Sequence, residues 1–214
     1  LVILLGTGDG QFNISEPYNA PGSSAGIVAG DYNSDKNIDL AMTSNTVKAN
    51  TLQIFFGNGD GTFKAPEHIT GGGQSPFLTQ YDMNHDGMID LIVSNPVLDS
   101  LTLFLGDGKG GFQKMPDFSA EKSPGALVAG EFTDDKFPDL VVCNRDGSIS
   151  VLEGRGNGSF IFPHYNYPVG RHPHALAAAD FNRDGLVDLA VILSDDSLVE
   201  IIMRKTSAAS AEEG

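Results

Sequence analysis

The sequence predicts an all-β chain, a β-propeller of four-stranded antiparallel blades with about four repeats of ~49 residues. Three observations predict it. An acidic nonapeptide recurs with first residues at 31, 82, 131 and 180, so the intervals are 51, 49 and 49. Apolar runs of four to six residues, bounded by Gly, Asn and Asp, are too short for helices and suit strands. A glycine-rich turn ending in Phe occurs once per repeat, and Gly and Asn supply the positive φ of a tight hairpin.

Each repeat opens with a small apolar segment, such as Val28-Ala29-Gly30 or Ala177-Ala178-Ala179, suited to the crowded axis of a propeller. The acidic loop follows. Asp180-Phe181-Asn182-Arg183-Asp184-Gly185-Leu186-Val187-Asp188 has oxygen-bearing side chains at positions 1, 3, 5 and 9 and Gly at position 6. Oxygens at alternate positions converge on one point, position 7 adds its carbonyl, and the Gly permits the sharp bend. This is how a short loop wraps a hard cation, and Ca2+ is the expected ion. The ligand sets read from this pattern are Asp31, Asn33, Asp35, Asn37 and Asp39; Asp82, Asn84, Asp86, Met88 and Asp90; and Asp180, Asn182, Asp184, Leu186 and Asp188. Lys36 replaces the glycine in the first loop. The third set, Glu131, Asp135 and Asp139, is weaker: Glu131 is longer than Asp, Thr133 is a poor ligand, and Pro138 precedes Asp139. A helix–loop–helix calcium site or a dockerin-like pair needs a carboxylate at position 12, where this chain has Met42, Val93, Val142 and Val191. Asx-turns without metal are the alternative for these loops.

After the loop come a second strand, a polar link, a third strand and the glycine turn. The turns are Gly6 to Phe12, Gly57 to Phe63, Gly106 to Phe112 and Gly154 to Phe160, and the Phe is expected to start the fourth strand. No Lys-Ser/Thr follows these glycines, which argues against a phosphate cradle. The Asp-x-Asn-x-Asp-Gly-x-x-Asp loop with its apolar strand and Gly-x-Gly-x-Gly-x-Phe turn resembles the FG-GAP/VCBS-type repeat, whose members include the propeller of integrin α subunits. The resemblance covers about residues 1–203. It implies calcium between the first and second strands of each blade and a role in adhesion or in protein or carbohydrate binding. It names no ligand.

Residues 1–204 read as repeats and 205–214 as a disordered tail or linker. Counting strands gives two, then three full blades, then three. The chain is read as part of a larger ring, half of an assembly, or a small ring. Phe12 to Pro17 could supply the last blade's fourth strand, but the surplus strand favours closure by another chain or by remaining blades of a larger propeller.

The net charge of −15 disfavours nucleic acid and anionic membrane surfaces. No apolar run is long enough for membrane insertion, and Leu1 to Leu5 is too short for a signal peptide. Millimolar calcium is found outside cells and weak multi-site calcium modules belong there, so an extracellular or cell-surface setting is expected. The single Cys143 lies in an apolar run and reads as buried. Asn13-Ile14-Ser15 and Asn157-Gly158-Ser159 match the glycosylation acceptor, a pattern common by chance.

The links between second and third strands, and those between blades, fall on the face opposite the acidic loops, where a protein or carbohydrate ligand is expected. The richest stretch there is His164 to His174, with Tyr165, Tyr167, Arg171, His172 and His174 as candidate ligand contacts: stacking for the tyrosines, a clamp for Arg171. An ordinary polar link is the bland reading. An enzyme would use the same Tyr or His as proton carriers, but no Ser-His-Asp order or zinc spacing supports catalysis. The expectation is a non-enzymatic, calcium-binding recognition or adhesion module. The alternative is a polysaccharide lyase of propeller fold, or an accessory domain of a secreted carbohydrate-active enzyme.

Overall fold

A computed structural model describes residues 1–20, 26–45, 50–71, 77–162 and 165–205. His164 and the tail from residue 206 onward lie outside the described residues. The architecture is a four-blade β-propeller arrangement.

Blade I contains β3 (Ile27–Gly30), β4 (Asp39–Asn45), β5 (Asn50–Phe55) and β6 (Glu67–Thr70), paired in that order. Blade II contains β7 (Leu78–Tyr81), β8 (Asp90–Asn95), β9 (Ser100–Gly106) and β10 (Phe112–Lys114), with β11 (Phe118–Ser119) continuing along β9. Blade III contains β12 (Pro124–Gly130), β13 (Asp139–Asn144), β14 (Ser148–Leu152) and β15 (Tyr165–Pro168). Blade IV has three described strands: β16 (Pro173–Ala179), β17 (Asp188–Leu193) and β18 (Leu198–Ile202). Ahead of them stands a lone hairpin of β1 (Leu4–Gly6) and β2 (Phe12–Ile14). Every pair is antiparallel. Phe12 to Pro17 does not complete blade IV: β2 pairs with β1, Gly6 opposite Phe12 and Leu4 opposite Ile14.

The small first strands form the inner layer. β3 packs on β7, β7 on β12, and β12 on β16. Each blade offers a trailing face to the next blade's leading face, because alternate side chains along a strand point to opposite sides. Ala41, Leu52 and Ile54 of blade I join Leu91, Val93 and Phe104 of blade II in one buried cluster. Ile92, Leu101 and Leu103 of blade II join Leu140, Val142 and Leu152 of blade III. Val141, Cys143 and Ile149 of blade III join Leu189, Val191 and Leu193 of blade IV.

The glycine turn differs from its expectation in two ways. Gly57 and Gly154 make single bridges with Phe63 and Phe160, and the fourth strand proper starts later, at Glu67 or Tyr165; the Phe opens the strand in blade II and in the β1–β2 hairpin. In three of the four turns the first glycine is required by proximity and not by φ. A Cβ on Gly57, Gly106 or Gly154 would lie 2.2, 2.3 or 1.9 Å from the carbonyl oxygen of Ile38, Ile89 or Pro138. The acidic loops and glycine turns therefore meet at one end of the blades, as the sequence predicts.

Candidate functional site: the acidic loops and the opposite link face

The ninth residue of each loop is a fully buried aspartate. Its Oδ2 accepts from the position-two amide: Tyr32 to Asp39 at 3.0 Å, Met83 to Asp90 at 2.8 Å, Phe132 to Asp139 at 2.8 Å and Phe181 to Asp188 at 3.1 Å. Its Oδ1 accepts from an amide at or just beyond the end of the third strand: Gly57, Gly106, Gly154 or Arg204, at 2.8–2.9 Å. Asp39, Asp90, Asp139 and Asp188 thus staple loop to turn; Asp139 Oδ2 accepts further from the Thr133 amide (2.8 Å) and hydroxyl (3.0 Å). Burial raises the Asp39 and Asp139 carboxyls and pushes Asp90 up to about 6, against the amide donors that favour the charged form.

Above the staple, three loops share one geometry. Asp31 Oδ1 and Asn33 Oδ1 both accept from the Asp35 amide, at 3.1 and 3.0 Å. Asp82 and Asn84 do the same at the Asp86 amide, both at 3.1 Å. Asp180 and Asn182 do so at the Asp184 amide, at 3.2 and 2.9 Å. The position-seven amides of Asn37, Met88 and Leu186 donate to the position-five carboxylate at 2.8 Å. Positions four and six are left-handed in all three: φ is 59° and 71° at Ser34 and Lys36, 59° and 83° at His85 and Gly87, and 66° and 86° at Arg183 and Gly185. The wrap therefore turns the oxygens of positions one and three toward one point. Among the described residues, no three His, Cys, Asp or Glu side chains stand close enough together to form a ready metal cluster.

The third loop is built differently. Only Lys136 is left-handed, φ 66°. The Thr133 hydroxyl lies 3.0 Å from a carboxylate oxygen of both Asp135 and Asp139. Arg204, from beyond β18, reaches back over this loop: its guanidinium is 2.5 Å from Asp134 Oδ1 and donates to the Glu131 carbonyl at 3.4 Å. A side-chain cation thus already stands at this loop. Nothing in the sequence pattern signalled it, because the contact spans about seventy residues.

At the opposite end the structure divides the His164 to His174 stretch. Arg171 is tied to Asp196 through its amide (2.8 Å), Nε (2.8 Å) and guanidinium (2.7 Å), and these bonds lower the Asp196 pKa. His172 stands 3.2 Å from Asp195. His172 and His174 line a cavity of about 300 Å³ with Phe77, Pro124 and Arg145. His174 and Phe77 meet edge-on at 6.5 Å. Tyr165 and Tyr167 are elsewhere, on a groove of about 800 Å³ between the outer rims of blades III and IV with Val151 and Ile202. The residues offered as one ligand site thus fall on two surfaces. Arg145, which the sequence reading did not single out, joins the two histidines from the β13–β14 link.

The pattern matches an established repeat: the FG-GAP-like repeat model fits residues 31–93, 82–141 and 131–191. The chain belongs to the FG-GAP-like repeat family. No curated protein sequence matches it. Among solved structures it is similar to a functionally unknown protein from Desulfotomaculum acetoxidans DSM 771, at 14% identity and TM-score 0.62, over 94% of this chain and 62% of that one. It is also similar to BBS1N, solved in complex with ARL6DN and soaked with lead, at 15% identity and TM-score 0.56, over 84% of this chain and 56% of that one. At such identities the likeness is one of fold. This FG-GAP-like chain spans about three fifths of the length of those proteins.

Proposed function

We propose that this FG-GAP-like chain is a calcium-binding recognition or adhesion module of the extracellular space, and not an enzyme. The observation that carries the reading is the geometry repeated in three loops: an Asp and an Asn oxygen turned onto one amide, with a second carboxylate two residues on. The donor set is all oxygen, which suits a hard cation. Asp31, Asn33 and Asp35, Asp82, Asn84 and Asp86, and Asp180, Asn182 and Asp184 would hold the ion, with the stapled ninth aspartates lending their second lone pairs. The chemistry supplied is charge neutralisation and a tie between first and second strands. The third loop does not fit, because Arg204 supplies its positive charge.

The ligand, a protein or carbohydrate, is assigned to the link face, where the cavity beside His172, His174 and Arg145 gives donors and the Phe77 ring an apolar wall. Calorimetric titration with calcium, followed by glycan and protein binding arrays with and without chelator, tests the reading. Binding of three ions and a ligand signal that depends on His174 and Arg145 are expected. Absence of calcium binding at millimolar concentration overturns the metal reading. Turnover of a polyanionic glycan would favour the lyase alternative.

A further inference from the structure

The chain carries 28 acidic side chains against 13 basic ones. Among the described residues, none of those acids lines the link-face cavity of about 300 Å³. The carboxylates on the surrounding links are committed elsewhere. Asp99 accepts from the Ser123 amide at 2.7 Å and Asp146 from the Ser148 hydroxyl at 2.8 Å. Asp195 faces His172 at 3.2 Å, and Asp196 holds the Arg171 guanidinium at 2.7 Å. Arg145 lines the cavity and is exposed, and its guanidinium has no ion pair or hydrogen bond among the described residues. One uncompensated cation in an acid-free cavity, within a chain of net charge −15, suits a ligand with one negative charge.

The cavity is also kept open. Gly125 lines it, and its backbone is not left-handed. A Cβ there would meet the Cys143 carbonyl oxygen at 3.6 Å and the Phe77 ring at 3.8 Å, which are ordinary contacts. Neither backbone nor packing demands this glycine; what its missing side chain supplies is room beside Phe77. Ser123 and His172 line the same space from blades III and IV, each just before a proline and each left-handed, φ 52° and 54°. They hold equivalent places, since Pro124 stands opposite Asn144 and Pro173 opposite Leu193, at the ends of β13 and β17. Strain of this kind persists only where the surroundings fix it, and it gathers at ligand sites. The His172 Nδ1 is 3.2 Å from Asp195, and donating there leaves Nε2 as an acceptor for a hydroxyl.

The backbone offers a ligand little. Pro96, Pro124 and Pro173 bring no N–H to the wall. The amides of Phe77, Ser123 and Arg145 are spent on Ser94, Asp99 and Ser123. A peptide is read through strand pairing or amide nests, and this cavity has few donors for either. A sugar ring fits it better: its C–H face rests on Phe77 and the prolines, and its hydroxyls meet side chains. The volume is at the low end for small-molecule sites and admits about one such ring.

We propose that this cavity binds one uronic acid residue of a glycan, with its carboxylate in the Arg145 fork and its hydroxyls on Ser123, His172 and His174. A planar guanidinium matches the two coplanar oxygens of a carboxylate. The proposal rests on the reading of the link face as the ligand side, and it does not depend on calcium.

Calorimetric titration of the purified 214-residue chain with methyl glucuronide, methyl glucoside, glucose 6-sulfate and acetylglycine tests it. The glucuronide is expected to bind at least about tenfold more tightly than the neutral glucoside. Arg145→Gln, an exposed change that leaves the fold intact, is expected to abolish that preference. Gly125→Val is expected to weaken both sugars by filling the space, with a cooperative melt showing that the chain is folded. Equal binding of the two sugars, or a preference that survives Arg145→Gln, overturns the proposal. Tighter binding of the sulfate overturns the carboxylate assignment, and tighter binding of acetylglycine overturns the sugar in favour of a peptide terminus. Should the glucuronide fail while a neutral glycan or a protein binds and is lost on Gly125→Val, this proposal falls and the link-face reading stands. If no ligand responds to either variant, both fall.

Discussion

Lys36 holds a left-handed backbone, φ 71°, where loops two and four have glycine. A side chain there costs about 1 kcal/mol or more against glycine. Lys36→Gly is therefore expected to stabilise the chain by about 1 kcal/mol, read as a rise in melting temperature. Asp90 faces two amide donors, Met83 at 2.8 Å and Gly106 at 2.9 Å. An asparagine has one acceptor oxygen, so Asp90→Asn turns an NH₂ group toward one donor and leaves it unsatisfied. A loss of about 1–3 kcal/mol in chemical denaturation is expected; an unchanged midpoint would show that the staple is dispensable. Cys143 is fully buried and its thiol is pushed up to about 12 by burial alone. The thiolate is the reactive form, so a thiol reagent should label the chain only after denaturant is added, and rapid labelling of the native chain would contradict the buried assignment.

At the scale of a loop and its blade, the third repeat stands apart. With Arg204 as its counter-charge, Asp135→Ala is expected to leave the calcium stoichiometry at three, whereas Asp86→Ala or Asp184→Ala should each reduce it to two. A fourth ion lost on Asp135→Ala would contradict the role given to Arg204. The sequence made the repeat, its strands and its loops legible because spacing and residue type are local signals. Positions one, three, five and nine of the loops, and the small inner strands, were all readable. What it hid are contacts across repeats. The polar chain from Asn144 to Ser150 (2.7 Å), Asn166 (2.6 Å) and Glu121 (2.7 Å) joins blade III to the link that precedes it, through residues that look like ordinary strand and link polars. Arg204 was unreadable for the same reason. The Tyr165 to His174 stretch misled because neighbours in sequence were taken as neighbours in space. A strand edge and an inter-blade turn carry them to different surfaces.

Over the whole molecule, cations at three loops would bind the folded chain and not the unfolded one, which raises stability by linkage. Melting temperature should rise with calcium and fall with excess chelator, and a curve that ignores both would exclude the metal reading. Stability should also depend on the order of the blades, since each lends a face to the next. Loops one, two and four draw the oxygens of positions one, three and five from within nine residues. The third loop depends on a side chain about seventy residues downstream. Arg204 is in that sense a latch between blades: it ties the loop of blade III to the end of blade IV.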